Sequence, residues 1–189
     1  MWPTSSPPGS YDLEVDFGRG AIGTLPVQAF DTADVELPLT GNPLPPIATP
    51  TLDAPAGISP LCTRAPEPCP FHADDVADLV AAGRPFALLV ATPALCRTAY
   101  CGPVLETLIG EAPDFPDVSF VHLEVYANAD EVSGNYDDPS IELARPVVEL
   151  GLEFEPSLFL VDETGVVTDR IDNIFDRDEL HQALETLAH

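Results

Sequence analysis

Two cysteines separated by four residues are the most informative feature of this 189-residue sequence. Cys96 and Cys101 follow an apolar run, residues 86–91, that is typical of a buried strand, and they precede residues 102–109, which predict a helix. A thiol at such a junction lies near unpaired backbone N–H groups and the helix dipole, and both favour the reactive thiolate. The pattern therefore indicates thiol–disulfide chemistry, with Cys96 and Cys101 as the candidate catalytic pair.

Two other interpretations of this pair stay open. One is a disulfide that only pins the turn between strand and helix, and the other is metal binding. Closing so short a loop removes little conformational entropy from the unfolded chain, so a purely stabilising disulfide is weakly motivated. We therefore favour redox activity.

The second pair, Cys62 and Cys69, lies in a proline-rich segment with no predicted helix terminus beside it. We expect a structural disulfide that holds this segment against the domain. The alternative is a second redox pair that passes electrons to the first. Together with His72 the two thiols offer three metal ligands, but a structural zinc site needs four and the sequence reveals no fourth.

The charge balance excludes one class of partner. The chain has 32 acidic and 7 basic residues, a net charge of −25, and all seven basic residues are arginine. A chain with this much negative charge repels phosphate backbones, and we therefore expect no nucleic-acid binding. Binding to anionic membrane surfaces is disfavoured for the same reason. The acidity keeps the surface hydrated, and the open alternative is a basic partner protein.

Cysteine usage bears on location. Four cysteines in two close pairs suit an oxidising compartment. The start of the chain lacks the charged and apolar segments of a signal peptide, and no apolar stretch approaches the ~20 residues that span a bilayer. We expect an extracytoplasmic protein, secreted or in the cell envelope, whose signal segment is not in this chain. A cytoplasmic protein is the alternative.

Composition divides the chain into three parts. Residues 1–36 contain two segments, 11–17 and 24–30, that predict a β-hairpin, interpreted as the remnant of a β-sandwich domain or as a ribbon on the main domain. Residues 37–70 are rich in proline, which disfavours helix and removes backbone donors, so an extended linker is expected. Residues 71–189 read as one α/β domain.

That domain alternates helical and strand patterns. After a short helix the order is β-α-β-α-β-β-α, which predicts a four-stranded mixed sheet with helices on both faces. The predicted strands are residues 86–91, 118–126, 157–161 and 166–171, and the predicted helices are residues 74–82, 102–109, 141–150 and 176–187.

Residues 71–188 resemble the thioredoxin superfamily. The resemblance rests on the Cys-x4-Cys motif after the first strand, on Pro156 before the third strand and on the order of the elements. Within the superfamily they look most like the actinobacterial extracytoplasmic thioredoxin-like proteins, in which a small β domain and a proline-rich linker often come first. The shared segments are Ala91-Thr-Pro-Ala-Leu-Cys96, Cys101-Gly-Pro-Val104, Phe120-Val-His-Leu-Glu-Val-Tyr126 and Glu155-Pro156.

The resemblance implies a thioredoxin-like fold and a thiol–disulfide oxidoreductase that acts on protein thiols and disulfides of the cell envelope. It assigns Cys96 as the attacking thiol and Cys101 as the resolving thiol. Pro156 would be a cis-proline that faces the cysteines and presents backbone groups to an extended substrate. We expect no cofactor and no metal.

The sequence departs from the family pattern in two places. Four residues separate the cysteines instead of two, which is expected to move one thiol away from the helix terminus, although Arg97 can compensate by lowering the pKa of a thiol. Residues 86–91 contain no carboxylate, whereas many thioredoxins carry a buried acid there. Glu124 on the neighbouring strand is a possible substitute for proton transfer, although a solvent-facing position is favoured.

Other functions are left open. The chain is alternatively a non-catalytic binding or scaffold module whose two cysteine pairs are permanent disulfides, because a fold does not guarantee its usual function. A weaker alternative is copper binding by Cys96, Cys101 and His122, as in copper-carrying thioredoxin relatives, although a structural role for His122 is favoured. The oxygen-rich loop 128–138 lacks the pattern of an EF-hand and is expected to be a solvated insertion.

Overall fold

The computed structural model of the chain describes residues 7–131 and 140–188. Its internal contacts separate two units, Met1–Glu36 and Leu37–His189. Within the described ranges, no helix is long and apolar enough to cross a membrane.

The first unit is built on a β-hairpin. β1 (Gly9–Asp16) pairs antiparallel with β2 (Ile22–Ala29), and half-buried and exposed residues alternate along β1 as the sequence predicts. The connecting turn needs left-handed backbone at Gly18 and Gly20, where φ is 81° at each. Glycine adopts this conformation without the clash that a Cβ atom would cause.

The second unit contains a four-stranded mixed sheet. Its strands are β3 (Phe86–Val90), β4 (Ser119–Leu123), β5 (Ser157–Val161) and β6 (Val167–Asp172), and its helices are α1 (Val76–Ala82), α2 (Cys101–Glu111), α3 (Arg145–Glu149) and α4 (Arg177–Leu187). The order across the sheet is β4-β3-β5-β6. β3 and β4 run parallel, whereas β5 is antiparallel to both β3 and β6.

Alternate residues of β3 enter two separate cores, one on each face of the sheet. Phe86, Leu88 and Val90 pack in the core that contains residues of α1 and α3, whereas Ala87 and Leu89 pack in the core that contains residues of α2 and α4. Burial on both faces explains why this strand is a continuous apolar run instead of an alternating one. The predicted mixed sheet with helices on both faces is confirmed.

Two predicted elements, residues 118–126 and 141–150, are shorter in the structure and for the same reason. The strand stops three residues early and the helix starts four residues late. Between them an isolated antiparallel bridge pairs Tyr126 with Leu143. The N–H of Ala144 donates to the carbonyl of Val125, and the N–H of Ala127 donates to that of Glu142, so residues of both predicted elements pair with each other here.

Part of the predicted linker, residues 37–70, belongs to the second unit and packs against its sheet. Leu44 is 2% exposed and belongs to the core that contains α1 and α3. The N–H of Leu44 donates to the carbonyl of Gly165, and the N–H of Val167 donates to the carbonyl of Asn42, both at 2.9 Å. The segment therefore extends the β6 side of the sheet and is not a free spacer.

We predict that this segment contributes to the stability of the second unit. Leu44→Ala should lower the free energy of unfolding by about 2–5 kcal/mol, because it removes buried apolar surface and leaves a cavity. Leu52→Ala, in the same segment but 71% exposed, is the matched control and should change stability by less than about 0.5 kcal/mol. Urea denaturation followed by circular dichroism measures both, and equal effects would contradict the packing described.

Candidate functional site

The pairing of β3 with β5 places the loop after β3 beside the residues that precede β5. Val90 lies opposite Ser157, and continuing this antiparallel register brings Thr92 to Glu155. The N–H of Thr92 donates to the Glu155 carboxylate at 2.8 Å. Pro156 follows Glu155 through a cis peptide bond. The proline thus lies beside the strand end from which the cysteine loop departs.

Cys96 and Cys101 form a disulfide, with their Cα atoms 5.9 Å apart. Cys101 is the first residue of α2 and is fully buried. Cys96, in the loop between β3 and α2, is half-buried. Because thiol–disulfide exchange requires access to the sulfur that is attacked, this asymmetry suits Cys96 to contact a substrate and Cys101 to resolve.

The N-terminus of α2 reaches Cys96 despite the longer loop. The N–H of Cys101 donates to Sγ of Cys96 at 3.3 Å, and the hydroxyl of Thr98 lies 3.3 Å from the same sulfur. A tight turn makes this approach, with the N–H of Ala99 bonded to the carbonyl of Cys96 and φ of 61° at Ala99. The expected separation of one thiol from the helix terminus is therefore wrong, and that terminus is positioned to stabilise a Cys96 thiolate when the disulfide is reduced.

The carboxylate of Glu155 lies against the buried cysteine. Its Oε2 is 3.5 Å from Sγ of Cys101. Burial raises the pKa of this carboxyl to about 7, and the negative charge of Glu124 acts in the same direction. The N–H of Thr92 and the charge of Arg97 favour the ionised form and limit the rise in pKa. A carboxyl that titrates near neutral pH can both take a proton from Cys101 and return it.

Glu124 is 1% exposed, so the interpretation of this residue as solvent-facing is wrong. Its carboxylate accepts hydrogen bonds from the N–H groups of Thr63 at 2.9 Å and Val125 at 3.2 Å. Burial raises its pKa. The carboxylate that contacts Cys101 is nevertheless that of Glu155, and not that of Glu124, the possible substitute.

A groove with a volume of about 420 Å³ lies beside the disulfide. Arg97 and Glu155 contribute polar groups to its wall, and the remaining surface is mostly apolar. Its apolar side chains include Val125, Leu143 and Phe154. A groove of this kind, next to a half-exposed sulfur, can hold an apolar side chain of a bound polypeptide.

The second pair of cysteines lies in a separate buried cluster with two histidines. Cys62, Cys69, His72 and His122 each offer one ligand atom, and these four atoms lie within 4.8 Å of one another. Sγ of Cys69 is 3.3 Å from Nε2 of His72, and that nitrogen is 3.4 Å from Nδ1 of His122. All four side chains are buried. We call these four residues the Cys/His cluster.

The cluster corrects two predictions. Cys62 and Cys69 are free thiols and do not form the expected structural disulfide. The hydrogen bond from Cys69 lowers the pKa of the Cys62 thiol against the effect of burial, with help from the imidazoles. His122 joins these thiols and not Cys96 and Cys101, which the structure groups with a glutamate. The three-residue copper set is therefore wrong.

Sequence reasoning did not identify the partners that complete either site. For Glu155 the available signal was its position directly before Pro156, where a strand begins. For His122 no local spacing points to His72, which is 50 residues away along the chain. Only the pairing of strands and the packing of the proline-rich segment bring these two rings together.

The oxygen-rich loop 128–138 falls largely outside the described residues. At its start, the side chain of Asn128 donates to the carbonyl of Ser140 at 2.8 Å and accepts from the N–H of Glu142 at 3.0 Å. These bonds close the base of the loop, and its interpretation as a solvated insertion stays a prediction.

Comparison with known proteins supports the assignment of the fold. No protein-family model and no curated protein matches the sequence. Among solved structures, a thiol:disulfide interchange protein of the thioredoxin family from Chlorobium tepidum TLS superposes with a TM-score of 0.50 at 15% sequence identity, covering 80% of this chain and 100% of that one. Together with the sheet order β4-β3-β5-β6, this likeness shows that the chain has a thioredoxin-like fold.

Proposed function

We propose that this protein is a thiol–disulfide oxidoreductase that exchanges disulfides with other proteins through Cys96 and Cys101. The observation that carries the proposal is the asymmetry of the pair. A half-buried sulfur at a helix N-terminus is bonded to a fully buried sulfur, which lies 3.5 Å from a carboxyl whose pKa is about 7. A disulfide that served only as a crosslink would need none of these features. The similar structure from Chlorobium tepidum, a thiol:disulfide interchange protein, supports the same class of chemistry.

In the disulfide form the protein oxidises a substrate dithiol. A substrate thiolate attacks Sγ of Cys96, the Cys96–Cys101 bond breaks, and Cys101 leaves as a thiolate that takes the proton of the Glu155 carboxyl. The second substrate thiolate then attacks the substrate sulfur of the mixed disulfide and releases Cys96. Two electrons pass from the substrate to the protein, which ends as a dithiol.

In the dithiol form the same residues run the reaction in reverse. The Cys96 thiolate, which the N-terminus of α2 stabilises, attacks a substrate disulfide and releases one substrate thiolate. The Glu155 carboxylate takes the proton of Cys101, which attacks Sγ of Cys96 and releases the second substrate thiolate. The substrate gains two electrons and the protein returns to its disulfide.

The surroundings of the pair fit a polypeptide substrate. Pro156 would orient an extended substrate backbone beside Cys96, and the apolar groove would take one of its side chains. We also propose that these substrates are protein thiols and disulfides of the cell envelope. The support for this location is the resemblance of residues 71–188 to extracytoplasmic thioredoxin-like proteins.

Cys96→Ser should abolish the acceleration by this protein of insulin disulfide reduction by dithiothreitol, because it removes the attacking sulfur. Cys101→Ser keeps that sulfur but cannot resolve, so it should accumulate mixed disulfides with substrate proteins, visible as bands that a reductant removes on gels. The two variants are controls for each other. Unchanged insulin reduction by Cys96→Ser would overturn the proposal.

A redox titration separates exchange from a scaffold role. In glutathione and dithiothreitol buffers, with alkylation and peptide mapping, the Cys96–Cys101 bond should open reversibly at a potential above about −300 mV, the upper range of structural disulfides. A bond that resists reduction until the protein unfolds would support the non-catalytic scaffold.

Glu155→Gln should slow the attack of Cys101 on the mixed disulfide by roughly 10²-fold or more at pH 8, because no carboxylate then accepts the thiol proton. In the wild type this rate should rise with an inflection near pH 7, where Glu155 titrates, and the variant should lack that inflection. Stopped-flow measurement of single turnovers gives both profiles. Identical profiles would show that Glu155 takes no part in proton transfer.

Glu155→Gln should also change how stability depends on pH. Because the folded-state pKa of Glu155 is raised from 4.5 to about 7, the folded protein binds this proton more tightly than the unfolded chain does. The stabilisation is complete below about pH 4.5 and is lost as pH rises through 7, at a cost of about 3 kcal/mol. The variant should therefore be more stable than the wild type at pH 8 and similar to it at pH 4.

Urea titrations at the two pH values measure this difference. Glu153→Gln, which removes an exposed carboxyl two residues away, is the matched control. A wild type that stays as stable as Glu155→Gln at pH 8 would show that burial of the charged carboxylate carries no cost.

A further inference from the structure

The Cys/His cluster joins two parts of the chain that are distant in sequence. Cys62, Cys69 and His72 come from the segment before α1, whereas His122 lies on β4, an edge strand of the sheet. The N–H of His122 donates to the carbonyl of Phe71 at 2.9 Å, so the segment runs along that edge. The four side chains therefore meet because backbone pairing brings them together.

The four ligand atoms lie within 4.8 Å of one another, and two of their separations match those of a tetrahedral site. For zinc, with bonds of about 2.1 Å to nitrogen and about 2.3 Å to sulfur, tetrahedral geometry places two nitrogens about 3.4 Å apart and a nitrogen and a sulfur about 3.6 Å apart. The Nε2 of His72 lies 3.4 Å from Nδ1 of His122 and 3.3 Å from Sγ of Cys69. These separations need only small adjustments to accept the ion.

The hydrogen bonds of His122 leave one nitrogen available as a ligand. Its Nε2 is 3.0 Å from the carbonyl of Ala91, an acceptor, so Nε2 carries the proton and donates it. Nδ1 then turns its lone pair towards the other three groups of the cluster. Such a bond from the second ring nitrogen to a carbonyl is the usual support of a histidine that binds a metal.

Without a metal ion, the ligand atoms of this cluster cannot all find hydrogen-bond partners among themselves. The Nε2 of His72 faces both Nδ1 of His122 and Sγ of Cys69, and one proton on it can serve only one of them. A cation at the centre satisfies both nitrogens and both sulfurs at once. The N–H of Cys69 donates to Sγ of Cys62 at 3.4 Å and further stabilises a thiolate there.

We propose that Cys62, Cys69, His72 and His122 bind one zinc ion in a structural site. Two thiolates, two neutral imidazoles and Zn²⁺ sum to zero charge, which suits a buried position. Sulfur and nitrogen ligands in a tetrahedron favour zinc over magnesium or calcium, which prefer oxygen. Four protein ligands leave no open position for a substrate, so the site is structural and not catalytic.

The zinc ion would also hold the loop that carries the dithiol. Thr63, next to the ligand Cys62, accepts a hydrogen bond on its hydroxyl from the N–H of Ala94 at 3.0 Å. Its own N–H donates to Glu124 at 2.9 Å. On the other side, the Nε of Arg64 pairs with Glu106 of α2 at 2.6 Å. Loss of the ion would therefore loosen the support of the loop that precedes Cys96.

Metal analysis of the full chain, purified without a histidine tag or chelator and then incubated with zinc, tests the site. We expect one zinc per chain in the wild type, and none in Cys62→Ser or His122→Ala. The matched control, Cys96→Ser with Cys101→Ser, should keep one zinc per chain, which separates this site from the dithiol. A wild type without zinc, or zinc that survives both ligand substitutions, would overturn the proposal.

Cobalt replacement keeps the test valid if the ligand variants fail to fold. Wild-type protein reconstituted with Co²⁺ should show the ligand-field bands of tetrahedral cobalt and a thiolate-to-cobalt charge-transfer band. Alkylation mapping should find Cys62 and Cys69 protected in the zinc form and both reactive after a chelator is added. An octahedral cobalt spectrum, or a disulfide between Cys62 and Cys69 in the native protein, would exclude the zinc site.

Discussion

The hydrogen bond from the N–H of Thr92 to the carboxylate of Glu155 joins the two segments on which the proposed chemistry depends. One segment leaves β3 and carries Cys96, and the other enters β5 through Pro156. Their separation is fixed by the antiparallel register of the two central strands, since a shift of one residue would turn each side chain to the other face of the sheet. The dithiol, the proline and the carboxylate are therefore positioned by one pairing between rigid strands.

Burial then determines the electrostatics. Glu124 and Glu155 are both withdrawn from water, and this burial raises the pKa of each carboxyl. The negative charge of Glu124 raises the pKa of Glu155 further. The fold compensates with backbone N–H groups, from Thr63 to Glu124 and from Thr92 to Glu155. Two carboxylates near the dithiol are thus withdrawn from water, and burial raises the pKa of both.

The sequence was sufficient for the architecture and only partly for the site. Residues 86–91 and 157–161 are apolar runs bounded by turns, and such patterns define buried strands without tertiary information. The sequence predicted the position of the cysteine loop between strand and helix but not the turn within it. The hydrogen bond from the N–H of Cys101 to Sγ of Cys96 depends on how residues 97–100 fold back.

The sequence did not predict that the four residues of the Cys/His cluster come together, and the reason is physical. Proline composition indicated an extended segment before α1, and an extended segment has no fixed neighbours until it packs. The contact of His72 with His122 depends on the edge of β4, which no local pattern reveals. The lengths of β4 and α3 were missed for the same reason, since a bridge between Tyr126 and Leu143 overrides local propensity.

The course of the proline-rich segment has a consequence for association between molecules. Near residues 42–44 it hydrogen-bonds to the start of β6, and directly after it Phe71 hydrogen-bonds to β4, so this stretch covers part of each outer strand of the four-stranded sheet. Exposed sheet edges are templates on which a second chain adds a strand. Proline has no N–H to offer such a strand. This stretch thus occupies part of both sheet edges, where a second chain would otherwise add a strand.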